Sequence, residues 1–418
     1  AEAQMYAREN AYSLEDKQIE VEKARQTIRQ TASRGLPQVA GALDFTYNAQ
    51  IAQQPVPAEF FGGQPGTFQT VAFGTEFQNV ASLNVNQLIL DGSYFIALQA
   101  TQVFKDVARL DKELSELQIV RDVAQSYYGV LVAQQTLDVV KENLVSLQKN
   151  FEETKALYEE GFTEEQDMDQ LELLVSNLEN NRNRAERQIE VAKMLLNFNM
   201  GRNVRAELTL TDDIDKLIVG EEILTSTNFS LESNLQYKMV ETQEIGMGLN
   251  VKNEKWKNYP TLSGFLRHGQ SNFTNDFDQA WSTDVYWIPN TSLGFSLQWN
   301  LFQGLNRAAT VEKAKLDLEK AQVAVDQVQN SIWLQYQQAK SNYEYAFDTY
   351  NTEKRNVELS KRIRNKTRIK YQEGISSSLE LTQAENQYLQ SQQNFLNATQ
   401  NLLNAKEELL LAIGKKSN

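Results

Sequence analysis

Apolar residues recur at helical spacing over two long stretches of this chain and at alternate positions in the segments between them. Val130, Ala133, Leu137, Val140, Leu144, Leu147, Phe151 and Tyr158 step by three and four, with Thr154 in the one polar slot. That period puts them on one face of an α-helix. Gly92 and Gly161 enclose 68 residues and Gly304 and Gly374 enclose 69, enough in each case for a helical rod of roughly 100 Å. Gly129 inside the first rod costs only about 1 kcal/mol. Past the turn glycines, two returning helices are predicted over 163–200 and 376–413. One carries Met168, Leu171, Val175, Leu178, Arg182, Ala185, Ile189, Ala192 and Leu196. The other carries Leu381, Ala384, Tyr388, Ser391, Phe395, Ala398, Leu402, Ala405, Leu409 and Ala412. Both read as coiled-coil seams. The returning helices span little more than half of each rod. Helices over 1–34 and 230–258, stacked end to end on them, are predicted to cover the rest.

A period of two replaces this pattern elsewhere. Val39, Gly41, Leu43, Phe45 and Tyr47 alternate with polar or small residues, as do Leu293, Phe295, Leu297, Trp299 and Leu301. Residues 80–90 and 261–270 supply two more such segments. Strands of about ten residues with one apolar and one polar face suit a transmembrane β-barrel, apolar to lipid and polar to the lumen. The lipid-facing set would be Leu43, Phe45, Leu293, Phe295, Leu297 and Trp299. A soluble sandwich with its apolar faces packed together fits the alternation as well. Residues 53–66 and 271–284 read as rim loops, and Phe60, Phe61, Phe77, Trp281, Tyr286 and Trp287 at their edges as an interfacial girdle. Four strands cannot close a barrel, since small ones have about eight. Open edges in lipid are prohibitive. A membrane-embedded sheet would therefore be shared by several chains, twelve strands in a homotrimer.

The two halves match. Gly161 and Gly374, like Gly201 and Gly414, stand 213 residues apart, and the six prolines all lie outside the helical stretches. The chain is expected to hold a first repeat over 1–201, a linker over 202–229 and a second repeat of the same architecture over 230–418.

Composition narrows the function. A net charge of −14 disfavours nucleic acid as a partner. Without cysteine there is no disulfide, thiolate metal site or lipidated N-terminal cysteine within these residues. The mean hydropathy of −0.52 comes with no apolar run long enough for a membrane-spanning helix. The chain starts within a helical pattern and without methionine, as a processed or trimmed chain would. No catalytic, metal or cofactor motif is found. The only histidine, His268, lies in a strand segment and reads as a rim or lumen residue. An enzyme is not expected, and no cofactor.

Residues 24–41 of the first half contain a Leu36-Pro37 pair. The second half offers Tyr259-Pro260-Thr261-Leu262-Ser263-Gly264 and then Trp299-Asn300-Leu301-Phe302-Gln303-Gly304. In order, spacing and duplication these resemble the helix-to-strand and strand-to-helix junctions of the TolC family of outer membrane efflux proteins, over essentially the whole chain. The resemblance implies an α+β membrane protein: a trimeric transmembrane β-barrel, four strands per protomer, continuous with a long α-helical barrel in the periplasm. It implies an outer-membrane exit duct of a tripartite efflux or secretion system, passive, partnered by itself, a periplasmic adaptor, an inner-membrane transporter of RND, ABC or MFS type and outer-membrane lipid. A type I protein secretion conduit and a soluble coiled-coil scaffold stay open as alternatives. Residues 202–227 would form the equatorial region. The turns carrying Tyr158, Gly161 and Phe162, and Gly374 and Ile375, correspond to the adaptor-docking tips. Glu380 and Gln383 occupy the family's aperture carboxylate positions, the second neutral here. Tyr371 matches a tip tyrosine that helps hold the channel shut, and Ser376 replaces an expected arginine.

Charge near these turns is lopsided. Residues 152–172 carry a net −8, and residues 353–373, with Arg364, Arg368 and Lys370 among eight bases, a net +5. Opposed networks on neighbouring hairpins would bias a closed aperture. Solvated faces are the plainer reading.

Overall fold

The computed structural model describes residues 1–212, 214–218, 229–282 and 284–414. Its helices are α1 (Glu2–Asn10), α2 (Tyr12–Ser33), α3 (Gly92–Glu159), α4 (Glu165–Asn199), α5 (Ile214–Ile218), α6 (Leu235–Trp256), α7 (Phe277–Ala280), α8 (Asn306–Gln372) and α9 (Ser378–Ala412). Its strands are β1 (Gln38–Tyr47), β2 (Gln53–Pro57), β3 (Phe68–Ala72), β4 (Phe77–Leu90), β5 (Thr261–Thr274) and β6 (Ile288–Gln298). The fold is α+β, mostly helical with a small sheet. Two compact units divide the chain. One comprises Ala1–Glu22, Asp106–Glu244 and Ala321–Asn418, the other Lys23–Lys105 and Ile245–Lys320.

In the first unit the seams turn inward. Leu144 and Leu147 of α3 pack with Leu171, Leu174 and Leu178 of α4, and Tyr336, Tyr343 and Tyr350 of α8 with Leu402 and Leu409 of α9. Each fully buried leucine contributes about 1.5–3 kcal/mol, so a long helix is held by its returning partner. The helix expected over 1–34 is broken at Ala11, which takes an extended conformation at φ −66°, ψ 130°. The end of α4 meets this break. Gly201 has φ +76°, and a Cβ there would lie 2.0 Å from the Asn10 carbonyl oxygen, so the approach requires glycine. Ala7, Ala11 and Leu14 join Leu196 and Met200 in one cluster against Ile119, Val123 and Val130 of α3. The N-terminal helices and α4 thus stack end to end on α3. The Gly414 Cβ position, past the end of α9, lies 3.9 Å from the carbonyl of Ser233, in a 3-10 turn (Leu231–Ser233) ahead of α6.

Of residues 202–227, read as an equatorial region, 213 and 219–227 lie outside the described residues. Leu208 and Leu210 pack against the cluster at Ala7, and Ile214 is buried with Tyr128 and Leu403. The Tyr127 hydroxyl donates to Asp212 Oδ2 at 2.8 Å. Burial first, then this carboxylate, push the phenol up to about 12.

In the second unit one antiparallel sheet runs in the order β1-β4-β5-β6, and β2 pairs with β3 in a separate hairpin where the sequence suggested an irregular rim loop. Strands β4 and β5 extend beyond their alternating segments, to Phe77 and Thr274, because each supplies the other with backbone partners there. Part of the loop expected over 271–284 is therefore strand. β6 stops at Gln298, short of the alternation that reaches Leu301. Trp299 leaves the ladder, and its indole Nε1 donates to the Asn258 carbonyl at 3.0 Å.

Candidate functional site

Directly opposed residues in an antiparallel ladder share a face, so the register assigns both faces of the sheet. Val39, Val85, Leu266 and Leu293 form one cross-strand row. Leu43, Phe45, Phe295 and Leu297 lie on the same face, while Asp44, Asn84, Asn86, Arg267, Ser292 and Ser296 lie on the other. Within the chain the apolar face is open to solvent: Leu293 is 78% and Phe295 74% exposed. Trp299 is set apart from it by the end of β6. His268, read as rim or lumen, stands on the apolar face opposite Leu83 and Thr291. Its Nδ1 lies 2.8 Å from the Thr291 hydroxyl, which gives the ring a polar partner on that face.

At the loop end of this face an aromatic group assembles. Phe45 lies 5.1 Å from Trp281 and 6.2 Å from Phe77, and Phe77 lies 5.6 Å from Phe277. The Asn79 amide donates to the Ala280 carbonyl, pinning α7 onto the sheet and burying Asn79 and Asn272. Of the expected girdle, Phe77 and Trp281 join this group through Phe45, and Trp281, like Phe60, Phe61 and Tyr286, stays exposed.

The turns of the helical unit form a second constellation. Gly161 and Gly374 adopt φ of +80° and +71° with nothing near their Cβ positions, as sharp reversals after a helix require. Each is followed by an exposed apolar residue, Phe162 at 77% and Ile375 at 70%. Two hydroxyl contacts tie one hairpin to the other. Tyr371 Oη lies 3.2 Å from Thr154 Oγ1, which explains the polar slot in the α3 seam. Ser378 Oγ donates to Asp167 Oδ1, and Thr163 Oγ1 donates to Asp167 Oδ2 at 2.5 Å. Burial raises the Asp167 carboxyl, but the hydrogen bonds from Ser378 and Thr163 outweigh it and hold it below the ordinary carboxylate value.

The aperture candidates separate. Gln383 and Lys370 are exposed and Arg368 is half-buried. Glu380 is exposed, and its carboxylate accepts from Ser376 Oγ while its backbone N–H donates to the N-cap Ser377 Oγ at 3.3 Å; it closes the first turn of α9. Arg364 is buried, 9% exposed. Its guanidinium lies 4.5 Å from the Tyr388 ring centroid, and its Nε lies 3.9 Å from Glu385 Oε2. Among the described residues no ion pair joins 152–172 to 353–373; the Gln372 amide donates to Glu153 at 3.4 Å.

Glu385 escaped the sequence reading, although its place in the seam between Leu381 and Tyr388 marks it. It is 1% exposed, and its Oε1 accepts no hydrogen bond. Burial raises its carboxyl above the ordinary 4.5 against the opposing pull of Arg364 and Arg368. The folded state thus binds this proton more tightly than the unfolded state. The group's contribution to stability grows as pH falls through the raised value and is complete below the ordinary one. Hydrogen-exchange protection of α9 amides should accordingly rise on mild acidification, and Glu385→Gln should flatten that rise. An unchanged profile in the variant would assign the pH dependence elsewhere.

A family profile described as outer membrane efflux protein matches residues 5–202 and 249–415. No curated protein sequence matches. Among solved structures, the transmembrane channel protein CusC superposes with a TM-score of 0.78 at 15% identity, covering 99% of this chain and 91% of that one. The outer membrane protein VceC of Vibrio cholerae gives 0.73 at 15%, over 99% and 95%. The outer membrane channel MtrE of Neisseria gonorrhoeae, in its open state, gives 0.75 at 15%, over 99% and 88%. At these identities the likeness is one of fold.

Proposed function

We propose, since this chain belongs to the outer membrane efflux protein family, that it is the passive exit duct of a tripartite system, carrying substrate from periplasm to exterior. The family is one of channels rather than enzymes, and membership speaks against a soluble coiled-coil scaffold. The observation that carries the reading is the sheet: an exposed apolar face and a polar one, with β1 and β6 each paired on one side only among the described residues. Such edges are untenable in lipid. Three copies joined edge to edge would close twelve strands, and the helices of the three would form a periplasmic tunnel. On this reading residues 1–201 and 230–418 are repeats of one unit about the linker 202–229.

Phe162 and Ile375, on their exposed turns with Tyr158, Gly161 and Gly374, are the docking tips for a periplasmic adaptor, which links the duct to an inner-membrane transporter that supplies the energy. Tyr371, Glu380, Gln383, Arg364, Arg368 and Lys370 belong to the aperture region, Arg364 as a buried support within its own hairpin.

Purified protein is expected as a homotrimer that needs detergent and gives discrete conductance steps in a planar bilayer. A monodisperse, detergent-free monomer without conductance would overturn the proposal.

A further inference from the structure

The exposed face of α9 has an unusual composition. From 381 to 407, more than seven helical turns, its exposed positions are Gln383, Asn386, Gln387, Gln390, Gln393, Asn394, Asn397 and Asn401. All are amides. Charges within that span are Glu385 and Glu407, both buried, and half-buried Lys406. The contrast lies within the same unit, where the exposed face of α4 carries Glu172, Glu179, Arg184, Glu186, Arg187 and Glu190. A water-facing surface kept soluble in bulk is ordinarily rich in charge. A surface that packs on another helix needs apolar knobs. This face has neither. Its amides partly satisfy one another along the helix, Gln390 Nε2 donating to Asn394 Oδ1 at 2.8 Å and Gln393 Nε2 to Asn397 Oδ1 at 3.1 Å.

Gln383, Gln387, Gln390, Asn394, Asn397 and Asn401 follow Glu380 at steps of three and four, so they continue the stripe that begins at the aperture positions. Asn386, Gln390, Gln393 and Asn397 border a groove shared with Asn181 and Arg184 of α4, where Arg184 donates to Asn181 at 2.6 Å.

We infer that the amide face of α9 lines the lumen of the duct and makes that stretch indifferent to the charge of what passes. The inference rests on the duct proposed for this chain. Rings of like charge select ions by sign; a ring of neutral amides offers donors and acceptors to cation, anion and neutral polar solute alike. The cargo it fits is a hydrated polar or amphipathic solute of either sign.

Planar-bilayer recordings of the intact trimer under a potassium chloride gradient test this. Wild type should pass potassium and chloride with permeabilities within about twofold of each other. Gln390→Glu with Asn394→Glu should shift the reversal potential towards that of the cation, and the corresponding lysine pair towards that of the anion. As the chain lacks cysteine, Asn397→Cys gives each protomer a unique thiol, which a charged methanethiosulfonate should modify with a stepwise fall in conductance. Three outcomes would each overturn the inference while leaving the duct intact: strong cation preference in wild type, charge variants that conduct with unchanged selectivity, or an Asn397→Cys thiol that resists the reagent while the channel conducts. Absence of any conductance in wild type would remove both.

Discussion

Leu293→Arg should impair outer-membrane assembly by about 2–4 kcal/mol, the cost of an arginine on the lipid face near the midplane of a barrel. The register supplies the depth. Leu293 is the central residue of β6 and pairs with Leu266 inside β5, whereas Leu297 pairs with Leu262 one residue from the end of β6. Leu297→Arg should therefore cost less, about 0–1 kcal/mol if it reaches the interface. Ser296→Arg, on the polar face opposite Ser263, should be tolerated. The fraction of folded trimer recovered from outer membranes measures all three. Equal losses at Leu293 and Ser296 would contradict the assigned faces and favour a sheet buried on both sides.

Replacing Arg364 should be comparably costly for a different reason. Its side chain lies in the α8–α9 interior with Glu385 and Tyr388, so Arg364→Ala strands a buried carboxylate at about 3–5 kcal/mol. Arg364→Met combined with Glu385→Leu should recover most of that loss, because two apolar groups need no ionic compensation. Lys370→Glu on the exposed end of α8 should stay within about 1 kcal/mol. Denaturant unfolding with a double-mutant cycle separates these outcomes; additive losses at Arg364 and Glu385 would show that the two do not act as a pair. A charge reversal meant to probe the aperture through Arg364 would thus read stability instead, and Arg368 and Lys370 are the cleaner probes.

The basic run around Arg364 shows where one-dimensional reading stops. Eight bases in 353–373 look alike in sequence, but helical phase puts Arg364 inward and Lys370 outward. Glu385 was similarly hidden among the many acids, although the seam from Leu381 to Tyr388 placed it at an inward position. The partners of Tyr371 and Asp167 were not legible: Thr154 and Ser378 lie 217 and 211 residues away, and no local pattern encodes so distant a contact.

Periodicity alone determined the long helices, their returning partners and the alternation of four strands, because burial of one face imposes a repeat of 3.6 or 2 on the sequence itself. It also determined the turns, since Gly161 and Gly374 occupy conformations that other residues adopt at a cost. Tertiary structure decided what depends on contacts between distant segments. The break at Ala11 exists where Gly201 approaches Asn10, α7 folds onto the sheet through Asn79, β6 ends at Gln298 with Trp299 held by Asn258, and Arg364 turns to Glu385. Each is a packing or hydrogen-bond choice among geometries that the local pattern permits equally, and only the neighbour across the fold selects one.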